Sequence, residues 1–163
     1  MPVHTAKRTI KGKVSRARQS IRSRAPSASS PLVRRVMQRN TGHETEPERL
    51  LRTFLKKAGL RFRTDTRPEP HLKIKADIVF PRQRVCVFLD GCFWHGCPIH
   101  FKVPNSHSPW WKEKIQDNAR RDARQTQALR RLKWKVIRYW EHQIQPEALQ
   151  RINARIGETL DDR

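Results

Sequence analysis

The chain has 163 residues, room for one domain with ragged ends, and carries a formal net charge of +21 from 36 Lys and Arg against 15 Asp and Glu. That balance points to a polyanionic partner, nucleic acid or an anionic membrane surface. No apolar run nears the ~20 residues that span a bilayer and no apolar signal core opens the chain; the three cysteines, Cys86, Cys92 and Cys97, are too few and too clustered for a secreted disulfide framework, so a soluble cytoplasmic protein is expected.

Residues 1–43 hold 11 of the basic residues and none of the acids, which leaves +10 from Glu44 onward. Residues 1–31 are polar and cationic, end in the Ser/Pro segment Pro26 to Pro31, and show no sustained hydrophobic period. They bury too little apolar surface to offset chain entropy and read as a disordered basic arm. The domain is expected over 32–157, with a tail over 158–163. Val33, Val36 and Met37 fit a short helical turn.

The first strong helix is expected from Thr45, with Thr45 and Glu48 at capping-box spacing, an apolar face of Leu50, Leu51, Phe54, Leu55 and Ala58, and Gly59 as the stop. Leu60, Phe62 and Thr64 alternate as a strand does. Ala76–Phe80 and Val85–Leu89 read as a hairpin joined by Pro81 to Arg84, with Asp77 embedded in the first strand. Ser108 and Pro109 supply an N-cap and a first-turn proline for a long helix to about Leu132. Its inward stripe runs Trp111, Ile115, Asn118, Asp122, Gln125, Leu129 and Leu132, so two polar residues share the apolar face. Lys135–Trp140 is expected as a strand and Pro146–Ile156 as a closing amphipathic helix stopped by Gly157. The order αβββαβ with a final helix gives an α/β fold, a mixed central sheet flanked by helices.

Asp90 to His100 (DGCFWHGCPIH) packs two cysteines, two histidines, a carboxylate and a Phe-Trp pair into one loop. Cys92, Cys97 and His100 converge as three soft or borderline ligands, which favours structural Zn²⁺. The fourth ligand is one of His95, His107 and His142; His142 is preferred because it follows a strand end and leaves His95 free. A charge inside an apolar strand is costly unless paired or metal-bound. Asp77 is therefore a candidate Mg²⁺ ligand, with Asp90 near enough across the hairpin to share the cation. His95 suits general-base work or stabilisation of a phosphorane-like charge. Asp122, on a buried stripe, requires a partner such as an Arg or a catalytic His. Phe93, Trp94, Trp110 and Trp111 form an aromatic set fit to stack on or wedge between bases.

Three blocks together, KADIVFPRQRVCVFLDGCFWHGCPIHFKVP (Lys75 to Pro104), TEPE (Thr45 to Glu48) and WWKEKIQDNARRD (Trp110 to Asp122), resemble the very short patch repair endonucleases over about Met37 to His142. The resemblance implies a core like that of type II restriction endonucleases and a nick 5′ to the T of a T:G mismatch left by 5-methylcytosine deamination. It implies Asp77 as the central Mg²⁺ ligand, His95 as catalytic histidine oriented by Asp122, and Glu48 in the metal and water network. Phe93, Trp94 and Trp111 match an aromatic wedge, and Met37 a residue inserted from the other groove; Asn118 joins this DNA-facing set. Cys92, Cys97 and His100 match the structural zinc loop, in which His142 stands where the family usually has cysteine. Ala76 stands where a proline is frequent. The implied partner is double-stranded DNA with a T:G mismatch, bound by a monomer in a bacterial, nucleoid-associated setting, with mismatch-repair proteins as accessories. Two other readings are a non-catalytic zinc module that binds mismatched or bent DNA, and a zinc hydrolase with His95 as ligand.

Overall fold

The computed structural model describes residues 45–161. The arm, Met37 and the turn expected around it lie outside the described residues.

Helix α1 spans Glu46–Lys57. Thr45 occupies the N-cap but makes no side-chain capping bond, so the expected capping box does not form. Glu48 instead faces Arg52 one turn on, at 3.3 Å, and lies near enough to Asp77 to act on its charge. Gly59 ends the helix at φ +77°, where the Leu60 amide reaches back to the Leu55 carbonyl at 3.1 Å. Strand β1 is Arg63–Thr66, β2 Ala76–Phe80 and β3 Val85–Asp90. The hairpin has the bounds expected from its two apolar runs, extended by Asp90. The first strand starts later than expected because Leu60 and Phe62 pack into the core, Phe62 against Phe80, before pairing begins.

Helix α2 spans Ser108–Arg131, with His107 in the N-cap position at φ +56°; Ser108 is thus one residue inside the helix rather than its cap. Strand β4 is Lys135–Trp140. Short 3₁₀ turns at Glu141–Gln143 and Pro146–Ala148 lead to α3, Leu149–Asp161. This last helix runs through Gly157, which was expected to stop it. Leu149, Ile152 and Ile156 are buried and Leu160 packs against the same core. That continuing stripe offsets the ~1 kcal/mol that a helical glycine costs.

The sheet order is β1-β2-β3-β4, antiparallel except for the parallel β3–β4 pair. The architecture is therefore the expected mixed sheet between helices. Alternation sorts the side chains. Val85 and Val87 with Ile137 and Tyr139 face α1 and α3, in a core with Leu51, Leu55 and Ile156. Cys86 and Phe88 face the opposite layer, with Leu129 of α2 and Trp134. Cys86 is wholly buried, its thiol pushed up to about 12 chiefly by burial, as suits an inert core residue. Glu69 braces the α2–β4 junction, accepting from Trp134 Nε1 at 2.7 Å and from Arg84 at 2.9 Å. No helix among the described residues is long and apolar enough to cross a membrane.

Candidate active site and metal centre

The parity that turns Cys86 and Phe88 toward α2 also turns Asp90 that way, and in β2 and β4 it does the same for Asp77 and Arg138. These charged groups gather where β3 and β4 end, the position at which open α/β sheets commonly build their sites. Helix α2 delivers Asn118 and Asp122 to the same place, both buried, and the loop after β3 delivers His95.

Asp77 is held by one backbone donor, the Leu89 amide at 2.7 Å from Oδ2; Oδ1 has no hydrogen bond among the described residues. Burial, with added repulsion from Glu48 and Asp90, pushes its carboxyl up to about 6. Such a group is short of positive charge. Hard oxygen donors around an under-compensated carboxylate fit a cation of the Mg²⁺ class.

His95 Nδ1 lies 2.6 Å from Asp122 Oδ2 and 3.4 Å from Asp90 Oδ1. Burial works to raise the Asp122 carboxyl, but the bond to His95 and the Arg121 ion pair outweigh it and hold it below the usual carboxylate range. An ionised Asp122 only accepts, so His95 Nδ1 is the donor of this bond, and in a neutral ring the lone pair is then on Nε2. Arg121 supports the other oxygen of Asp122 through Nε and a terminal nitrogen, at 3.1 and 3.0 Å. Arg138 binds Asp90 through Nε at 2.7 Å and through a second, shorter contact.

The loop that carries His95 is pinned at several points. Cys92 N donates to Glu141 Oε1 at 2.7 Å, and Asn118 Nδ2 donates to the Trp94 carbonyl at 2.8 Å. Gly96 turns the chain at φ +69°, and the Cys97 amide closes the turn on the Cys92 carbonyl at 2.9 Å. The donor atoms of Cys92, Cys97, His100 and His142 all lie within 4.8 Å of one another. Cys92 Sγ is 3.6 Å from His100 Nδ1 and 3.0 Å from His142 Nδ1; Cys97 Sγ is 3.7 Å from each. Tetrahedral bonds of ~2.3 Å to sulfur and ~2.0 Å to nitrogen give S···N edges of about 3.6 Å. Two thiols and two imidazoles at these spacings could hold a metal. His142 is the fourth member, and His95 is turned away to the carboxylates.

Phe93 and Trp94 adjoin in the chain. Both are half-buried, because they find one another edge-on at 5.2 Å and pack on Trp111 at 5.1 and 5.9 Å. Trp111 is buried beneath them, Trp110 adds an edge contact to it, and Phe101 closes on Phe93. A cleft of about 380 Å³ runs alongside, past Trp110, Lys114, Asn118 and Arg121.

The sequence reading missed Arg138, Arg121, Glu141 and Phe101. Arg121 adjoins Asp122 in the chain and could have been proposed as its partner. Arg138 and Glu141 act on residues 48 and 49 positions away, which no local pattern reports.

The family model described as DNA mismatch endonuclease Vsr matches residues 31–100. Among curated relatives, the Type II nicking enzyme V.NaeI of Lentzea aerocolonigenes is 42% identical over 128 residues, covering 77% of this chain and 75% of the relative. The Type II nicking enzyme V.XorIIP of Xanthomonas oryzae pv. oryzae is 37% identical over 135 residues, 81% of this chain and 95% of the relative. The DNA mismatch endonuclease Vsr of Escherichia coli K12 is 36% identical over 99 residues, 60% and 62% of the two chains. With these matches, the chain belongs to the Vsr DNA mismatch endonuclease family and is a DNA endonuclease.

Proposed function

We propose that the protein nicks one strand of duplex DNA 5′ to the T of a T:G mismatch arising from 5-methylcytosine deamination, using Mg²⁺ at Asp77. The observation that carries the reading is the His95–Asp122 pair at 2.6 Å, together with Asp77, a buried carboxylate whose charge the neighbouring arginines offset only in part. Bound Mg²⁺ would offset negative charge developing on the scissile phosphate. Asp77 holds the cation and Glu48 adds to the negative field around it. Asp122 fixes the His95 ring so that Nε2 takes a proton from the attacking water or steadies the phosphate. Phe93 and Trp94, backed by Trp111, enter the helix beside the mispair, where stacking and pairing are already weak, so selectivity draws on deformation as well as base contacts. Met37 acts from the opposite groove, and Asn118 serves this face by holding the Trp94 carbonyl.

On this reading the core is of the restriction-endonuclease type, and Cys92, Cys97, His100 and His142 hold structural Zn²⁺. The N-terminal domain boundary at 31, action as a monomer in the cytoplasm, and cooperation with mismatch-repair proteins belong to the same proposal.

The test is nicking of a T:G duplex with and without Mg²⁺. Wild type cuts only with the cation, Asp77→Ala does not cut, and a T:A duplex is spared; equal cutting by wild type and Asp77→Ala overturns the assignment. Zinc content separates the two metal roles: His95→Ala keeps zinc and His142→Ala loses it. Zinc lost from His95→Ala would instead favour the zinc-hydrolase reading.

A further inference from the structure

Asp90 closes β3, 8% exposed, and sits near enough to Asp77 to raise its carboxyl. Two roles are open to it, as a second ligand for a cation at Asp77 or as an acceptor in the His95 network. Its surroundings favour the second. Arg138 of β4 forks onto it, Nε to Oδ2 at 2.7 Å and a terminal nitrogen to Oδ1. The guanidinium is itself fixed by three groups on two elements, β3 and α2. It lies 4.7 Å over the Phe88 ring, 3.4 Å from Thr126 Oγ1 of α2, and 3.8 Å from Asp122 Oδ2. A fork-on-fork pair engages both carboxylate oxygens in the plane from which a cation would be bound. Asp90 Oδ1 still faces His95 Nδ1, at 3.4 Å. The guanidinium therefore stands behind both carboxylates that flank the His95 ring.

We propose that Arg138 is a positioning residue for nicking: it commits Asp90 to the His95–Asp122 pair and withholds it from the cation site at Asp77. The inference rests on the reading of Asp77 and His95 given above. It concerns a residue that touches neither DNA nor cation and acts through Asp90.

The experiment is single-turnover nicking of a T:G duplex by full-length protein across a Mg²⁺ titration, with duplex affinity measured separately without Mg²⁺. Arg138→Met is expected to slow the cutting step about 10²-fold, the scale of a misplaced catalytic group. Duplex affinity stays within about twofold, because no binding contact is removed. Half-saturation moves to lower Mg²⁺, since the released Asp90 adds a charged ligand. Arg138→Lys recovers only part of the rate, having charge without the fork. Asp90→Asn with Arg138→Gln keeps a neutral hydrogen-bonded pair, so it remains informative where Arg138→Met fails to fold; it is expected to melt like wild type and cut slowly at unchanged Mg²⁺ half-saturation. The proposal falls if Arg138→Met cuts at the wild-type rate, or if the double variant demands more Mg²⁺, which would make Asp90 a metal ligand. Absence of Mg²⁺-dependent cutting by wild type, or cutting by Asp77→Ala, overturns the underlying reading instead and is scored before any Arg138 variant.

Discussion

Asp77 shows how a candidate site residue costs stability. Its folded carboxyl, at about 6, lies above the ordinary value of 3.8 because burial and the neighbouring acids Glu48 and Asp90 disfavour the charge. The sign follows from proton linkage. Between roughly pH 4 and 6 the folded state binds the extra proton, so the penalty is full above the folded value and disappears as the pH falls below the unfolded one. A shift of this size corresponds to about 3 kcal/mol at most. Asp77→Asn keeps an acceptor for the Leu89 amide and removes the charge. Melts in Mg²⁺-free buffer are therefore expected to show the variant more stable than wild type by about 1–3 kcal/mol at pH 8, converging near pH 4. Nicking is abolished throughout. A variant no more stable than wild type at pH 8 would mean that Asp77 is compensated in the folded protein and is not held ready for a cation.

Among the elements, the loop between β3 and α2 concentrates the most function on the least regular backbone. Gly96 sits between His95 and Cys97 at φ +69°, and a Cβ built there would stand 2.6 Å from Ile115 Cγ2. Gly96→Ala thus meets both backbone strain and a clash with a buried side chain of α2, at about 1–3 kcal/mol. The expected outcome is a lower melting temperature, reduced zinc content and slower nicking together, since the ring proposed as catalytic and a thiol proposed as zinc ligand are displaced by one change; intact zinc and rate would show that the loop relaxes without α2. Much of the framework around this loop was legible in the sequence. The apolar runs at Ala76–Phe80 and Val85–Leu89 set the hairpin, and the stripe from Trp111 to Leu129 placed Asn118 and Asp122 inside before any contact was seen. Local rules failed where tertiary contacts won. Glu48 gave up the capping box for Arg52, and Leu160 carried α3 past Gly157. Arg138 stayed hidden for a related reason. In a strand, a lone arginine among apolar residues looks like a solvated side chain until the parallel register Phe88↔Arg138 puts it beside Asp90.

Across the whole molecule, affinity and selectivity come from different parts. On the proposed reading, selectivity rests with the aromatic cluster and the residues at the strand ends, all between Glu48 and His142 apart from Met37. On the same reading affinity draws on charge spread along the chain: Lys114, Arg121 and Arg124, against Glu113 and Asp117, line the cleft beside Trp110, and residues 1–31 hold eight basic residues and no acid. Contacts from such an arm are to phosphate and carry no sequence information. Each phosphate neutralised contributes about 0.9 to the slope of log affinity against log salt. Deleting residues 1–31, which leaves Met37 in place, is therefore expected to flatten that slope by up to about 7 and to weaken T:G and T:A duplex binding alike. The ratio of T:G to T:A cutting and the rate on saturating T:G duplex should stay at the wild-type values, because the arm supplies none of the groups assigned to wedging or to phosphate chemistry. Affinity measured on both duplexes from roughly 50 to 200 mM salt separates the cases. A slope unchanged by the deletion would assign the phosphate contacts to the remaining +13 of charge, and a T:G preference lost with the arm would move part of mismatch recognition into it.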